Sequence, residues 1–199
     1  GTTHFKFATN FVGYNEKITD WINIDIDVTT LPFPNAHFDF LYCRHVMEDI
    51  QNPDFALNEI FRTSKQGYIE TPSPLVEITK DIDAGNSGNY CGYIHHRYIV
   101  WSNSEKNEIY FLPKYSCILD NLILSDELKK KIYNIINNYP VYWNNYILYN
   151  SQNKPKVIMY KNGINIKSLI SDYVTLINRA INETIDNTNY FIQTYKHLI

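Results

Sequence analysis

The chain has 199 residues, of which 44% are hydrophobic and 20% charged, and its net charge is −3. That is one domain's length, enough to bury a real core, and it excludes the disordered class. The 18 basic residues are scattered rather than striped, and the apolar runs are short, so neither a nucleic-acid partner nor a membrane span is expected.

The predicted elements alternate through the first half. Residues 5–12 read as a short strand, and Trp21 to Asp27 alternates apolar and polar side chains, a strand pattern. Pro32 and Pro34 break the chain, since prolines do not sit in a central strand. Phe38 to Cys43 is almost wholly apolar, which suits a strand buried on both faces of a parallel sheet. Asn52 as N-cap and Pro53 at the first helical position open a helix that carries Phe55, Leu57, Ile60 and Phe61. Gly67 closes the following turn, and Tyr68-Ile69-Glu70 is a strand stopped at Pro72. Strand, helix and strand with short links make a βαβ unit and argue for a parallel sheet with helices on its faces.

Residues 80–92 read as a loop, and 93–101 with 108–112 as a hairpin. Ser125 caps a helix running to about Asn138. Residues 142–149 and 155–160 read as two strands joined by a turn at 150–154, and a final helix covers 166–198 with a break near Asp186-Asn187. Lys129-Lys130-Lys131 is a solvated helix face. Cys43, Cys91 and Cys117 show no pairing spacing, so reduced thiols and a cytoplasmic setting are expected. No linker divides residues 1–199, which read as a single domain, whether whole or the C-terminal part of a longer protein.

The stretch from Leu31 to Glu48, LPFPNAHFDFLYCRHVME, resembles the turn, strand and loop segment of type 11 class I methyltransferases that depend on S-adenosylmethionine. Asn52-Pro53 with Glu59-Ile60-Phe61-Arg62 resembles the next helix of that family, and Gly67 to Ser73, His95 to Tyr98 and Phe111 to Lys114 resemble one subgroup of it. The resemblance covers residues 25–115. It implies an α/β, Rossmann-like three-layer sandwich with a mainly parallel sheet. The cofactor, S-adenosylmethionine, would lie over the carboxyl ends of the strands, and the activity implied is methyl transfer to a small-molecule acceptor.

By that resemblance Asp27, with Val28 beside it, would face the adenine amino group, and Cys43, Arg44 and His45 would line the methionine end. The chain departs from the family at its start. It has 7 glycines and no GxG, whereas the family's glycine loop lets backbone amides approach the cofactor. In one register Gly1 and Thr2 are the remnant of that loop, and Gly13 stands where the family has the acid for the ribose. In the other, Asp25 supplies that carboxylate and Asp27 loses its adenine role. The first register is favoured. The first strand then lies upstream of Gly1 or is missing. A sheet edge left without it would be exposed or completed by another chain, which keeps an oligomer among the expected partners. A catalytically inactive scaffold on the same fold is the alternative function.

Several residues also have plain structural readings. Asp39 suits a turn-amide acceptor, Asp27 a strand-end acid, and His45 a helix start. Glu48 reads as structural, and Asp49 stands where the family has histidine. His95 and His96 are the candidate catalytic bases, with Arg97 and Glu70 as candidate substrate contacts. On a strand His95 and His96 would point to opposite faces, so at most one would face a pocket, with Arg97 on the side of His95. Neighbouring histidines so placed are poor ligands for one ion, and neither HxH nor HExxH occurs, so no metal is expected.

Overall fold

A computed structural model describes residues 26–27, 29–83, 90–121, 124–160 and 169–195. The expectations for Gly1, Thr2, Gly13, Asp25 and Val28, for the strands before residue 26, and for the glycine loop lie outside the described residues.

The first described strand, β1, is Leu41–Arg44, shorter than the apolar run that announces it. It lies parallel to β2, Gln66–Pro72, through the helix α1, Pro53–Thr63, so the predicted βαβ unit is present. Helix α1 buries Ala56, Leu57, Ile60 and Phe61 along one stripe, while Phe55 is exposed. Its Asn52 makes no side-chain cap. Instead the Asn52 backbone N–H donates to the Asp27 carboxylate at 2.8 Å, and its side-chain amide donates to the Asp27 carbonyl at 3.0 Å.

Strand β1 is not buried on both faces, as its run of apolar residues predicted: Phe40 and Tyr42 are exposed and only Cys43 is sealed. Gly67 does not end the turn but stands within β2. A Cβ there would strike the Tyr149 hydroxyl and come within 2.5 Å of the Leu41 carbonyl oxygen.

Two short helices follow that the sequence did not announce, α2 at Pro74–Glu77 and, further on, α3 at Ser116–Leu119. Between them the predicted hairpin appears as β3, Tyr98–Asn103, and β4, Glu108–Pro113. Its alternation feeds two cores. Ile99, Trp101, Tyr110 and Leu112 pack with α2, with α4 (Asp126–Asn138) and with α5 (Leu169–Tyr195). Val100, Ile109 and Phe111 pack with α1, with Ile69 of β2, and with Ile147 and Tyr149 of β5 (Asn144–Asn150). Helices therefore cover both faces of the strand layer. Each fully buried large side chain contributes about 2 kcal/mol by leaving water.

Helix α4 starts as read, with the Ser125 hydroxyl accepting from the Leu128 amide at 3.2 Å. The strands at residues 142–149 and 155–160 were expected to be neighbours, and they are not. A 3-10 turn, Pro140–Trp143, leads into β5, which pairs antiparallel with β2, while β6, Lys156–Met159, pairs parallel with β4. The expected mainly parallel sheet is thus replaced, among the described residues, by two mixed three-stranded sheets ordered β1-β2-β5 and β3-β4-β6. The chain is a mixed α/β fold with five described α-helices.

Helix α5 runs unbroken through Asp186 and Asn187. Asn187 lies on its buried face. Its amide donates to the Ser102 hydroxyl at 2.9 Å, and its carbonyl accepts from the Ser104 amide at 3.0 Å. A residue that usually ends helices is here held in place by the hairpin. None of the described helices is long and apolar enough to cross a membrane.

The contact at Gly67 sets an expectation. Gly67→Ala should destabilise the protein by about 2 kcal/mol or more, because the new methyl meets a backbone carbonyl that has no rotamer to yield. Urea denaturation should show a lower midpoint with an unchanged slope.

Candidate functional site

Two carboxylates at the ends of their elements organise one polar cluster. Glu77, the last residue of α2, is buried to 1% and uses both oxygens. Its Oε2 accepts from Lys114 Nζ at 2.6 Å, and its Oε1 lies 2.7 Å from His96 Nδ1. Lys114 follows β4, and its side chain is as deeply buried as that of Glu77. Its ammonium also donates to the Tyr93 carbonyl at 2.7 Å. Burying two charges costs several kcal/mol each, offset here by their mutual attraction, by His96 on Glu77 and by the Tyr93 carbonyl on Lys114. Gly92 makes room for this. It sits at φ 59°, where an L side chain is strained, and a Cβ would lie 2.5 Å from Glu77 Oε2.

The second carboxylate is Glu48, in the turn between β1 and α1. Its carbonyl accepts from the Arg97 amide at 2.8 Å and the Tyr98 amide at 3.1 Å, and the Arg97 carbonyl accepts from the Lys114 amide at 2.8 Å. These bonds clamp the His-His-Arg segment against the β1–α1 turn. Because they precede β3, His95 and His96 are not on a strand, as the sequence reading assumed, and their rings do not diverge. The centroids are 4.5 Å apart in an edge-to-face pair. His96 is buried and His95 exposed.

His96 Nε2 lies 4.0 Å from both Glu48 Oε1 and Asp49 Oδ1. Glu48 is buried to 1%, yet neither of its carboxyl oxygens has a hydrogen-bond partner among the described residues, and Asp49 Oδ1 has none either. Burial pushes the Glu48 carboxyl up to about 8, with the Asp49 and Glu77 charges adding to the rise. Burial also raises Asp49, against the pull of His96 and His95.

On the β1 side, His45 takes the left-handed φ of 51° that turns the chain out of the sheet, and its amide donates to the Glu70 carbonyl at 2.9 Å. Its Nε2 is 3.4 Å from Glu70 Oε1, and its Nδ1 is 3.7 Å from Glu48 Oε1. Glu70 also accepts from Arg44 Nε at 2.7 Å and from the Tyr68 hydroxyl at 2.5 Å. Burial alone would raise the Glu70 carboxyl, but the hydrogen bonds from His45, Tyr68 and Arg44 outweigh it and hold it near about 2.

The predicted residues therefore divide. His95 and His96 come together, and Arg44 and His45 stand exposed at the carboxyl end of β1. Cys43 does not line a pocket with its side chain. It lies in the core with its thiol pushed up to about 12 by burial and the nearby Glu48 charge. Glu70, expected at the substrate, is buried and already engaged by three partners. Arg97 is exposed and joins the cluster through its backbone. Asp39 bonds no turn amide and instead pairs with Lys65 at 2.5 Å on the surface. The sequence reading missed Glu77 and Lys114 as site residues and assigned Glu48 only a structural role. The available signal was a charged residue closing an otherwise apolar stretch, as in PSPLVE and YFLPK. A hollow lined by Ser102, Asn103, Tyr146 and Phe191 lies towards the far end of the hairpin and holds none of these groups.

Residues 7–69 match the family model of the methyltransferase domain. The match covers about a third of the chain and ends within β2, so it takes in Asp27, β1 with Arg44, the turn that carries His45 and Glu48, and α1. No curated protein matches the chain, and no solved structure does.

The chemistry of Asp27, a carboxylate, suits an acceptor for an adenine amino group, and the Asn52 amide holds that carboxylate in place. Arg44 and His45 are open to solvent where the methionine end would lie.

Glu70 gives a pH expectation. Its folded value lies below the ordinary 4.5, so its contribution is complete above about pH 4.5 and lost as pH falls towards about 2. Glu70→Gln should cost on the order of 2 kcal/mol at pH 7, a figure reduced for the half-exposed Arg44 partner. The deficit should shrink as urea unfolding is repeated at falling pH.

Proposed function

We propose that this chain is an S-adenosylmethionine-dependent methyltransferase with a Rossmann-like sandwich, acting on a small-molecule acceptor. The observation that carries the reading is the turn after β1. There, within the stretch that matches the methyltransferase domain, the chain turns at a left-handed His45 and brings Glu48 Oε1 within 4.0 Å of His96 Nε2.

The cofactor, when bound, supplies an electrophilic methyl group on sulfur. Asp27, Arg44 and His45 would hold it. Methyl transfer is an in-line displacement, so the protein's work is to orient the acceptor, exclude water and take its proton. The cluster of Glu48, Asp49, His95 and His96 is placed for the last task. Nδ1 of His96 faces Glu77, and with Nδ1 as the donor to that carboxylate Nε2 is the acceptor on the side of Asp49 and Glu48. The buried position of His96 keeps that nitrogen away from bulk water, and His95 beside it is exposed.

One observation favours a second reading, an inactive scaffold: the sequence has no GxG with which to cradle the cofactor. Titration calorimetry with S-adenosylhomocysteine separates the two. Micromolar binding, weakened about ten-fold or more in Asp27→Ala (about 1.4 kcal/mol), is the expected result. Absence of binding up to millimolar concentration in a folded protein would leave the scaffold reading standing.

A further inference from the structure

We propose that Asp49, His95 and His96 bind one divalent transition-metal ion of the zinc or iron(II) class, with Glu48 as an additional carboxylate ligand. One ligand atom from each of Asp49, His95 and His96 lies within 4.8 Å of the others. The sequence expectation of no metal assumes neighbouring histidines on opposite faces of a strand. Here the pair precedes β3, and the two rings are in contact.

Three features point to an ion rather than to a solvated acidic patch. First, the donor set is two imidazoles and one or two carboxylates, which suits zinc and its neighbours and not calcium or magnesium. Second, His96 has an outer partner of the kind metal-bound imidazoles have. Nδ1 is 2.7 Å from Glu77 Oε1, which fixes the tautomer and aims Nε2 at the carboxylates. Third, Glu48 is almost wholly buried, both of its oxygens lack partners among the described residues, and Oε1 sits 4.0 Å from His96 Nε2. That distance is too long for a hydrogen bond and exceeds by roughly half an ångström the spacing of two ligands on one tetrahedral ion at bond lengths of about 2.0–2.2 Å. The spacings of up to 4.8 Å among Asp49, His95 and His96 require a contraction of roughly 1.5 Å on binding, towards which the exposed His95 ring can rotate.

The link to catalysis rests on the methyl-transfer reading above. At this position an ion would bind the acceptor's hydroxyl and lower its pKa, so that the proton leaves to solvent at the exposed His95 side and the oxygen would take the methyl group as an anion; this replaces the free His96 Nε2 as the means of deprotonation. Metal binding itself does not depend on that reading and is measured without cofactor or acceptor.

The test uses the full chain, stripped with a chelator and titrated with Zn(II) by calorimetry and with Co(II) by visible absorption. The expected result is one ion per chain, with affinity falling ten-fold or more in Asp49→Asn and in His95→Gln. Both residues are partly or fully exposed, so these variants should keep the fold, which circular dichroism would verify. His37→Gln, an exposed histidine that stacks on Phe33, should bind like the parent. Failure to bind either ion, or binding that Asp49→Asn and His95→Gln leave unchanged, would overturn the site and leave the cluster as a proton-sharing network. Binding of S-adenosylhomocysteine without metal uptake would sink the ion alone. Metal uptake without binding of S-adenosylhomocysteine would sink methyl transfer alone.

Discussion

The buried pair of Glu77 and Lys114 is the constraint on which the polar half of this molecule depends. Two charges withdrawn from water are tolerated only if their attraction and further hydrogen bonds offset the lost hydration. Glu77 has a further bond with His96, and Lys114 has one with the Tyr93 carbonyl. Those two obligations fix the chain from Tyr93 to His96. Gly92 takes a positive φ so that the backbone can pass Glu77 closely, and the His-His-Arg segment is left where the β1–α1 turn can dock on it. Replacing the pair with apolar residues would remove a desolvation cost and with it the reason for the segment's pose. The ion pair is thus better understood as a positioning device than as a source of stability.

A gradient of polarity runs from this pair towards the surface. Glu77 is satisfied, Glu48 is buried and unsatisfied, and Asp49 and His95 reach the solvent. On the other flank His45 links Glu48 to Glu70, whose three donors hold it ionised. Bonded acids therefore flank an unbonded one, and the unbonded one lies 4.0 Å from His96 on its Nε2 side. Native folds rarely leave buried carboxylate oxygens without partners, so this asymmetry marks where a ligand or proton belongs.

Local signals in the sequence carried much of the fold. Asn52-Pro53, Ser125 and the apolar runs around residues 100 and 110 each state their own geometry, and α1, α4 and the β3–β4 hairpin follow from them. What was not legible depended on partners far along the chain. Tyr93 to Trp101 reads as one strand, but the Arg97 and Tyr98 amides are drawn to the Glu48 carbonyl, so the strand starts late and the histidines share a side. The strands β5 and β6 look like a hairpin because only a short turn separates them, yet each finds a better partner in a different sheet. Asn187 looks like a helix breaker until Ser102 and Ser104 bind it. Within the candidate site, the histidine pair was legible as a type of chemistry, while Glu77 and Lys114, 37 positions apart, could be joined only by the fold.

The two-sided hairpin has a consequence for how the chain must be made. Trp101 finds its hydrogen-bond acceptor on Glu183, 82 positions later, and α5 is also the helix that covers Tyr110 and Leu112. During synthesis from the N-terminus, the hairpin at Tyr98–Pro113 is made before that cover at Leu169–Tyr195 exists. For that interval the nascent protein carries a broad aromatic surface with no lid. Its safe passage depends on chaperones or on slow association, and not on the stability of the finished fold.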